Sequence, residues 1–444
     1  MQTEAEAFLQ RIRAHPDDDA PRLIYADWLE EQGASGSPEW GPERAYLIRV
    51  QIALARLKDE IEPDLPKATS SARADREAAR TKLRGRLIVD ERDLLDRYCE
   101  EWTAPFRGLA TGLEFRRGFV EEVNVAALKW IRHAHELFVA GPVRHVHLLD
   151  LGGNLPLAFQ CPYLNRLVAF TVYAQHAGRP LARAVAECQH LANLKVLHLG
   201  RNRFEDNAAE HLATSPHMAN LEELDLSENE LGETGARSLA ASSYLGNVRY
   251  LELRNNRLGP TGAEAIAGSE RLTSLHRLGL AGNEIGVARL HTLNRAYDLL
   301  RVPILDLSEN GLNAAGLQVI LTRASTMNDP GSVRVVELDL KQNDQLGNEG
   351  ARVLAACPQL AGLQVLRLAG CGIGDEGARA LAESPYLNQV TLLDLGFNPI
   401  GDAGFRPFLK TTQMRSLRRL ITPTIGVSHP IRRQLEMRNL CPRR

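Results

Sequence analysis

One phrase recurs in this chain at a fixed distance, and it limits the possible folds more than any other feature. Leu221-x-x-Leu224-x-Leu226-x-x-Asn229-x-Leu231 is followed 27 residues later by Val248-x-x-Leu251-x-Leu253-x-x-Asn256-x-Leu258. A constant period of that length describes units too small to own a core, so each must bury its apolar face against the next. Leu224 and Leu226 lie two apart and share one face of an extended segment, while Asp225 points to the other. Asn229 stands where the chain leaves the strand, and its amide offers donors and an acceptor to backbone groups that a sheet ladder leaves unpaired there. Gly232-x-x-Gly235-Ala236-x-x-Leu239-Ala240 then puts Ala236, Leu239 and Ala240 on one helical face, small enough to lie close to the strand.

Carried along the chain, the template gives ten units. Their turn residues are Asn154, Gln175, Asn202, Asn229, Asn256, Asn283, Asn310, Asn343, Cys371 and Asn398, at spacings of 21, 27, 27, 27, 27, 27, 33, 28 and 27. The first unit is read on Val146, Leu149 and Leu151, and the second, degenerate one on Leu167, Phe170 and Val172. Stacking makes a structural ladder of Asn154, Asn202, Asn229, Asn256, Asn283, Asn310, Asn343 and Asn398, with Cys371 as one poorer link because a thiol donates only weakly. Extra residues around Thr326 to Gly331 read as a protruding loop. The array closes at Leu417-x-x-Leu420, where Thr422 replaces the third leucine.

These motifs resemble the leucine-rich repeat. The Gly-x-x-Gly-Ala-x-x-Leu-Ala half resembles the ribonuclease-inhibitor type, also found in Ran GTPase-activating proteins and the sensor arms of NOD-like receptors. The resemblance implies an α/β leucine-rich-repeat solenoid over 142–422, a horseshoe with a parallel inner sheet and outer helices.

The residue between the second and third strand positions would project from the concave face in each unit: Asp150, Thr171, His198, Asp225, Glu252, Gly279, Asp306, Asp339, Arg367 and Asp394. Six of these ten are acidic. Carboxylates one strand apart, about 5 Å, would attract a basic partner; Leu-Asp-Leu is equally a common phrase of such repeats that keeps the face soluble, and the sequence does not choose between the two. Arg201, Tyr250, Arg254, Lys341 and Phe397 flank the row as candidate interface anchors.

Ahead of the array, Ala5, Phe8, Leu9 and Ile12 keep helical spacing up to His15-Pro16. A second helix starts at Asp17-Asp18-Asp19, whose carboxylates suit an N-terminus better than a metal site, and it closes at Gln32-Gly33. A third runs from about Pro42 to Ile61. The string from Ala7 to Gly33, with its Tyr25-Ala26-Asp27-Trp28-Leu29-Glu30-Glu31 core, is similar to the repeat-companion domain of bacterial proteins that also carry repeat arrays. That resemblance transfers no functional residue, and Tyr25 and Trp28 read as packing. The expected organisation is a small all-α domain at 1–61, a linker and helix at 62–105, an N-terminal cap of hairpin and helix at 106–141, the array at 142–422 and a basic segment at 423–444. The hairpin turns at Arg117-Gly118.

At 444 residues the chain exceeds one globular core. Its formal charge of −2 conceals 14 acids against 7 bases in residues 1–64 and 10 bases against 1 acid in 405–444. Scattered cysteines without a CxxC pair argue against a zinc site or disulfide framework and suit a reducing compartment. With neither a secretory leader nor a membrane-length apolar run in view, a cytoplasmic location is expected. The basic run from Arg73 to Arg86 lacks interleaved aromatics, which disfavours nucleic acid. His133 with His135, and His145 with His147, lack a third placed ligand, and no nucleophile, phosphate-loop or zinc-protease motif is present. The expected function is therefore a non-catalytic, cofactor-free scaffold that binds a protein partner on the concave face. The alternatives are a GTPase regulator, by resemblance to the Ran activators, and a sensor subunit whose helical head binds a second partner.

Overall fold

The computed structural model describes residues 2–31, 41–59, 70–286, 299–324, 334–410, 413–438 and 440. The chain forms two compact units, Met1–Thr171 and Val172–Arg444. The loop expected at Thr326–Gly331, the Gln32-Gly33 helix end and the Pro63-Pro66 stretch lie outside the described residues.

The first unit opens with helices α1 (Gln2–Ala14), α2 (Asp19–Glu31), α3 (Pro42–Asp59) and α4 (Ser70–Trp102). The aspartate triplet divides its work. Asp18 caps α2 by accepting from the Ala20 N–H at 2.8 Å, whereas Asp17 takes both outer nitrogens of Arg144, at 2.8 and 3.1 Å. The segment read as a connection followed by a helix forms one 33-residue helix from Ser70 onward. Strands β1 (Thr111–Arg116) and β2 (Phe119–Ala126) pair antiparallel about Arg117-Gly118. Gly118 has φ +87°, and a Cβ there would collide with Ile48. The helical head therefore sits directly on the hairpin: Ile12, Tyr25, Ala26, Leu29, Ala45, Ile48 and Ile52 share one core with Phe119. Helix α5 (Ala127–Ala140) leads to β3 (His145–Leu149), α6 (Leu155–Phe159) and β4 (Ala169–Thr171), and β2, β3 and β4 run parallel.

Here the structure corrects the register of the first repeat. Val146 stands opposite Phe170 and His147 opposite Thr171. The strand is thus His145-Val146-His147-Leu148, with Val146 and Leu148 buried and both histidines half-buried. His147, not Asp150, holds the face position that Thr171 holds one strand later. Asp150 lies exposed beyond the strand at φ 53°. Asn154 likewise is no rung of the ladder: Gly152–Asn154 coils into a short 3-10 turn that runs into α6, and Leu151, five residues after Val146, stands where Asn229 stands five residues after Leu224. The Leu149-x-Leu151 spacing imitated the template, while the true strand alternates on histidines.

The second unit repeats one design. Three-residue strands β5 (Val196–His198), β6 (Glu223–Asp225), β7 (Tyr250–Glu252), β8 (Arg277–Gly279), β9 (Ile304–Asp306), β10 (Glu337–Asp339), β11 (Val365–Arg367), β12 (Leu392–Asp394) and β13 (Arg419–Ile421) pair parallel in chain order without register shift. In each the middle leucine is buried and, Gly279 apart, its neighbours are half-buried or exposed, the alternation of a sheet covered on one side. Helices α7 (Gly178–Glu187), α8 (Asp206–Thr214), α9 (Glu233–Ala241), α10 (Gly259–Ala267), α11 (Ala314–Ala324), α12 (Gly347–Ala355), α13 (Asp375–Ala382) and α14 (Asp402–Lys410) alternate with the strands on either side of the β8–β9 connection. The basic end is a folded closure. Helix α15 (His429–Met437) buries Ile431 and Leu435, and the Leu440 carbonyl accepts the Leu420 N–H at 2.6 Å.

Candidate functional site

The asparagines fix the strand ends on which the open face is built. Asn229 Nδ2 donates to the carbonyls of Leu199, Leu226 and Ser227 at 3.2, 2.9 and 3.1 Å. Its Oδ1 accepts from the N–H groups of Asn202 and Phe204 at 2.9 and 3.0 Å. The same pattern joins Asn202, Asn256, Asn283, Asn310, Asn343 and Asn398 to their neighbours. The Cys371 thiol donates to Leu340 O at 3.1 Å, and burial pushes it up to about 12, so it stays protonated. Immediately before each rung the backbone turns left-handed: Arg201, Glu228, Asn255, Gly282, Glu309, Gln342, Gly370 and Phe397 have φ between 53° and 69°.

Two further ladders, unread in the sequence, tie the repeats behind the sheet. Ser215, Ser242, Ser269 and Ser384 Oγ donate to the alanine carbonyls of Ala186, Ala213, Ala240 and Ala355 at 2.5–2.6 Å. Cys188 and Cys357 stand at the same place in their repeats. Asp206, Asn348 and Asp375 accept from the N–H groups of Gly232, Gly374 and Gly401, each at the next helix's start. That explains the second glycine of the pairs ending at Gly235, Gly377 and Gly404, since a Cβ there would lie 2.6–2.7 Å from Oδ1 of Asp206, Asn348 and Asp375. The signal was available: serine, or a cysteine in its stead, recurs ahead of each turn back to the sheet.

With the strand ends fixed, the acidic row turns out to have a structural task. Asp225 accepts from the Ser227 N–H at 2.8 Å, Glu252 from Arg254 at 3.1 Å, Asp306 from Ser308 at 2.9 Å, Asp339 from Lys341 at 3.0 Å and Asp394 from Gly396 at 2.9 Å. Each carboxylate closes its own strand on the amide two residues on. Their charge is nevertheless concentrated. Asp225, Glu252, Gly279, Asp306 and Asp339 occupy consecutive strands in register, about 4.8 Å apart. Gly279 leaves a notch, and a Cβ there would collide with both oxygens of Glu252. The carboxylate of Glu252 therefore lies across the glycine, toward Asp306. Burial first, then repulsion from Asp225 and Asp306, raises the Glu252 carboxyl above its ordinary range. Burial, with repulsion from Asp306, raises Asp339 in the same way.

The flanking residues divide. His198 pairs with Glu223 at 2.8 Å, Lys341 with Asp339 at 3.0 Å and Arg367 with Glu337 at 3.1 Å, while Arg201 lies 3.8 Å from Glu228. Tyr250 meets the His276 ring edge-on at 6.0 Å. Arg254 is exposed beside the row. Phe397 is 79 % exposed at the C-terminal end of the face. A polar groove of about 670 Å³ near the strand starts is lined by Asn193, Asn220, Asn247, Lys195, Glu222 and Arg249. Its asparagines serve the stack, with Asn220 and Asn247 donating to Ala192 O and Ala219 O at 2.8 Å.

The open face of the first unit has another character. Glu122 receives His147 Nε2 and Arg116 Nη2 at 2.6 Å each, with His145 Nδ1 at 3.5 Å. Hydrogen bonds from His145 and His147, then Arg116, hold its carboxyl far below the usual range against burial. His133 instead meets Glu136 at 3.3 Å and His135 meets Tyr163 at 2.8 Å, so these two histidines do not converge. Among the described residues no group of three or more His, Cys, Asp or Glu side chains is placed to hold a metal. No described helix is long and apolar enough to cross a membrane.

Six stretches, 190–213, 217–240, 247–267, 335–355, 363–382 and 388–408, match the family described as Leucine Rich repeat, and the repeating units are leucine-rich repeats. No curated protein matches the chain. Among solved structures, an internalin (inlF) from Listeria monocytogenes is similar at 15 % identity and TM-score 0.35, covering 64 % of this chain and 68 % of that one. The yeast Rad7 and Elc1 complex is similar at 13 % identity and TM-score 0.43, covering 82 % of this chain and 97 % of that one.

Proposed function

We propose that the open face of the second unit binds a lysine- or arginine-bearing segment of a protein partner and performs no chemistry on it. The observation that carries this is the notch at Gly279, where Glu252 lies between Asp225 and Asp306 with its carboxyl raised by burial and like charge. Charge gathered in a partly desolvated place is what an incoming cation relieves, and the negative field speeds its arrival. Tyr250 and Phe397 on the same face supply contact area of the kind that dominates interfaces. In this reading the repeats are of the ribonuclease-inhibitor type and the helical head is the bacterial repeat-companion domain. The free thiols of Cys99, Cys161, Cys188, Cys357 and Cys371 suit a cytoplasmic setting.

The test removes charge and keeps the strand caps. Asp225→Asn, Glu252→Gln and Asp306→Asn each retain an oxygen for the amide two residues on. The full chain carrying all three should bind a labelled peptide of alternating lysine and serine about tenfold more weakly than the parent. The parent's affinity should fall with added salt and as pH drops through the carboxylate range, because protonated Glu252 and Asp339 have no charge to offer. Equal affinity of the triple variant, with unchanged circular dichroism, would remove the proposal.

A further inference from the structure

In the first unit, a cavity of about 610 Å³ lies among α1, the end of α5 and the turn that carries Tyr163. Three arginines line it: Arg13, Arg144 and Arg166. Arg166 is exposed, and aromatic rings rather than a carboxylate support it: its guanidinium carbon sits 5.5 Å from the Phe138 ring centre and 5.2 Å from that of Tyr163. Those two rings stack at 5.3 Å, and His135 fixes the Tyr163 hydroxyl at 2.8 Å. Arg13 spends its outer nitrogens on Glu6 at 2.8 Å and the Val139 carbonyl at 2.7 Å. Arg144, 7 % exposed, spends its own on Asp17. The Nε–H groups of Arg13 and Arg144 are both buried and have no acceptor among the described residues.

A buried donor without an acceptor costs about 1–3 kcal/mol, and two such donors belong to side chains lining the same cavity. Counting Glu6 and Asp17 against the three arginines leaves one positive charge. We propose that this cavity is a binding site for a carboxylate. Its single negative charge matches the uncompensated positive charge, and its two oxygens match the planar donor edge of a guanidinium. Arg166 is the group that engages it first, since its ring support leaves the N–H edges unspent. The aromatic floor and the volume suit a carboxylate carried on a larger body. That body is either a small organic acid or the Glu or Asp side chain of a peptide. The site is independent of the acidic face of the second unit and takes the opposite charge.

Titration of the full chain with a labelled peptide of alternating glutamate and glycine, beside its glutamine counterpart, tests this. The glutamate peptide should bind at least about tenfold more tightly. Arg166→Gln, at an exposed position, should erase that preference with the melting temperature unchanged, and Arg166→Lys should restore part of it. Competition by succinate at concentrations similar to the peptide would assign a small-acid source, and failure of succinate to compete would assign a peptide. Equal binding of the two peptides, tighter binding of inorganic phosphate than of either carboxylate, or an Arg166→Gln variant that keeps the preference would each overturn the proposal. The Asp225, Glu252 and Asp306 variants should leave this binding unchanged, so its failure and that of the acidic-face reading are separable.

Discussion

Asn229 and Arg22 are both buried polar side chains, and the contrast between them separates the two units. Asn229 makes five hydrogen bonds to backbone groups of its own and the preceding repeat; Asn398 repeats all five and Asn256 four of them at the same spacing. Arg22 is 0 % exposed and occurs once. It meets Glu121 at 2.5 Å and the Pro16 carbonyl at 3.0 Å, lies 5.3 Å from the Phe119 ring centre, and leaves Nε and Nη1 without acceptors. Burial pulls its guanidinium below the ordinary value while Glu121 opposes that shift. The array is stabilised by neutral, saturated, translationally repeated links. The head is joined to the hairpin by a shared apolar core and, within it, a buried charged contact whose desolvation is only partly offset.

The largest effect should follow from breaking that contact. Arg22→Ala takes from buried Glu121 its closest cation and leaves it only the Arg117 guanidinium 3.5 Å away, at a cost of about 3–5 kcal/mol. Amide exchange should rise across α1 to α3 and the β1–β2 hairpin, with the strands of the second unit as the protected reference. Arg22→Met combined with Glu121→Leu should recover most of the loss, because a well-packed apolar pair carries no desolvation cost. Deprotection spreading evenly through β5 to β13 would erase the distinction between the units.

Next in size is a rung of the ladder. Asn229→Ala removes donors from three carbonyls and an acceptor from two N–H groups in the interior, costing about 3 kcal/mol in a urea titration. Exchange should quicken first at Asn202 and Phe204, whose amides lose their acceptor. A cost no larger than that of an exposed Asn→Ala change would mean that water replaces the rung, and the ladder would not be what holds the array.

These two positions also mark what the sequence made legible. Asn229 could be read because its chemistry repeats: a period exposes any residue that the stack requires, and the strands, helices and rungs of the second unit followed from it. Arg22 could not, since nothing in a single helix announces that an arginine faces a glutamate about 100 positions away. The first repeat shows the same limit from the other side. Leu149 and Leu151 satisfied the spacing, but so short a strand has little pattern of its own, and pairing with β2 and β4 set the register on His145 and His147. The left-handed residue before each rung was equally hidden, because arginine, glutamate, glutamine and phenylalanine fill it as well as glycine does. On the acidic row, the side-chain-to-amide caps follow from Leu-Asp-Leu at a strand end. The Gly279 notch needed three dimensions.

A smaller effect should come from repairing the weak rung. Cys371→Asn gives the array the acceptor and second donor that a thiol lacks, and should raise stability by about 1 kcal/mol. Ser242→Ala should lower it by a similar amount, since the alanine leaves Ala213 O without the hydroxyl that now donates to it at 2.6 Å. A destabilising Cys371→Asn would show that this repeat has repacked around sulfur and no longer obeys the period.

The smallest effect tests whether the acidic face stores charge at a cost, as the head does. Glu252 holds its proton more tightly in the folded chain than in the unfolded one, through burial and its carboxylate neighbours. Its contribution to stability is therefore full below the unfolded carboxylate range, about pH 4, and is lost as pH rises through the folded value. Glu252→Gln, which keeps an oxygen for the Arg254 amide and carries no charge, should raise the melting temperature at pH 7 by about 2 °C. The gain should fade as the parent's carboxyl becomes protonated at low pH. A gain that persists below about pH 4 would trace to packing over Gly279 instead. The strain on this face would then be steric, and a lysine-bearing partner would have no charge to relieve.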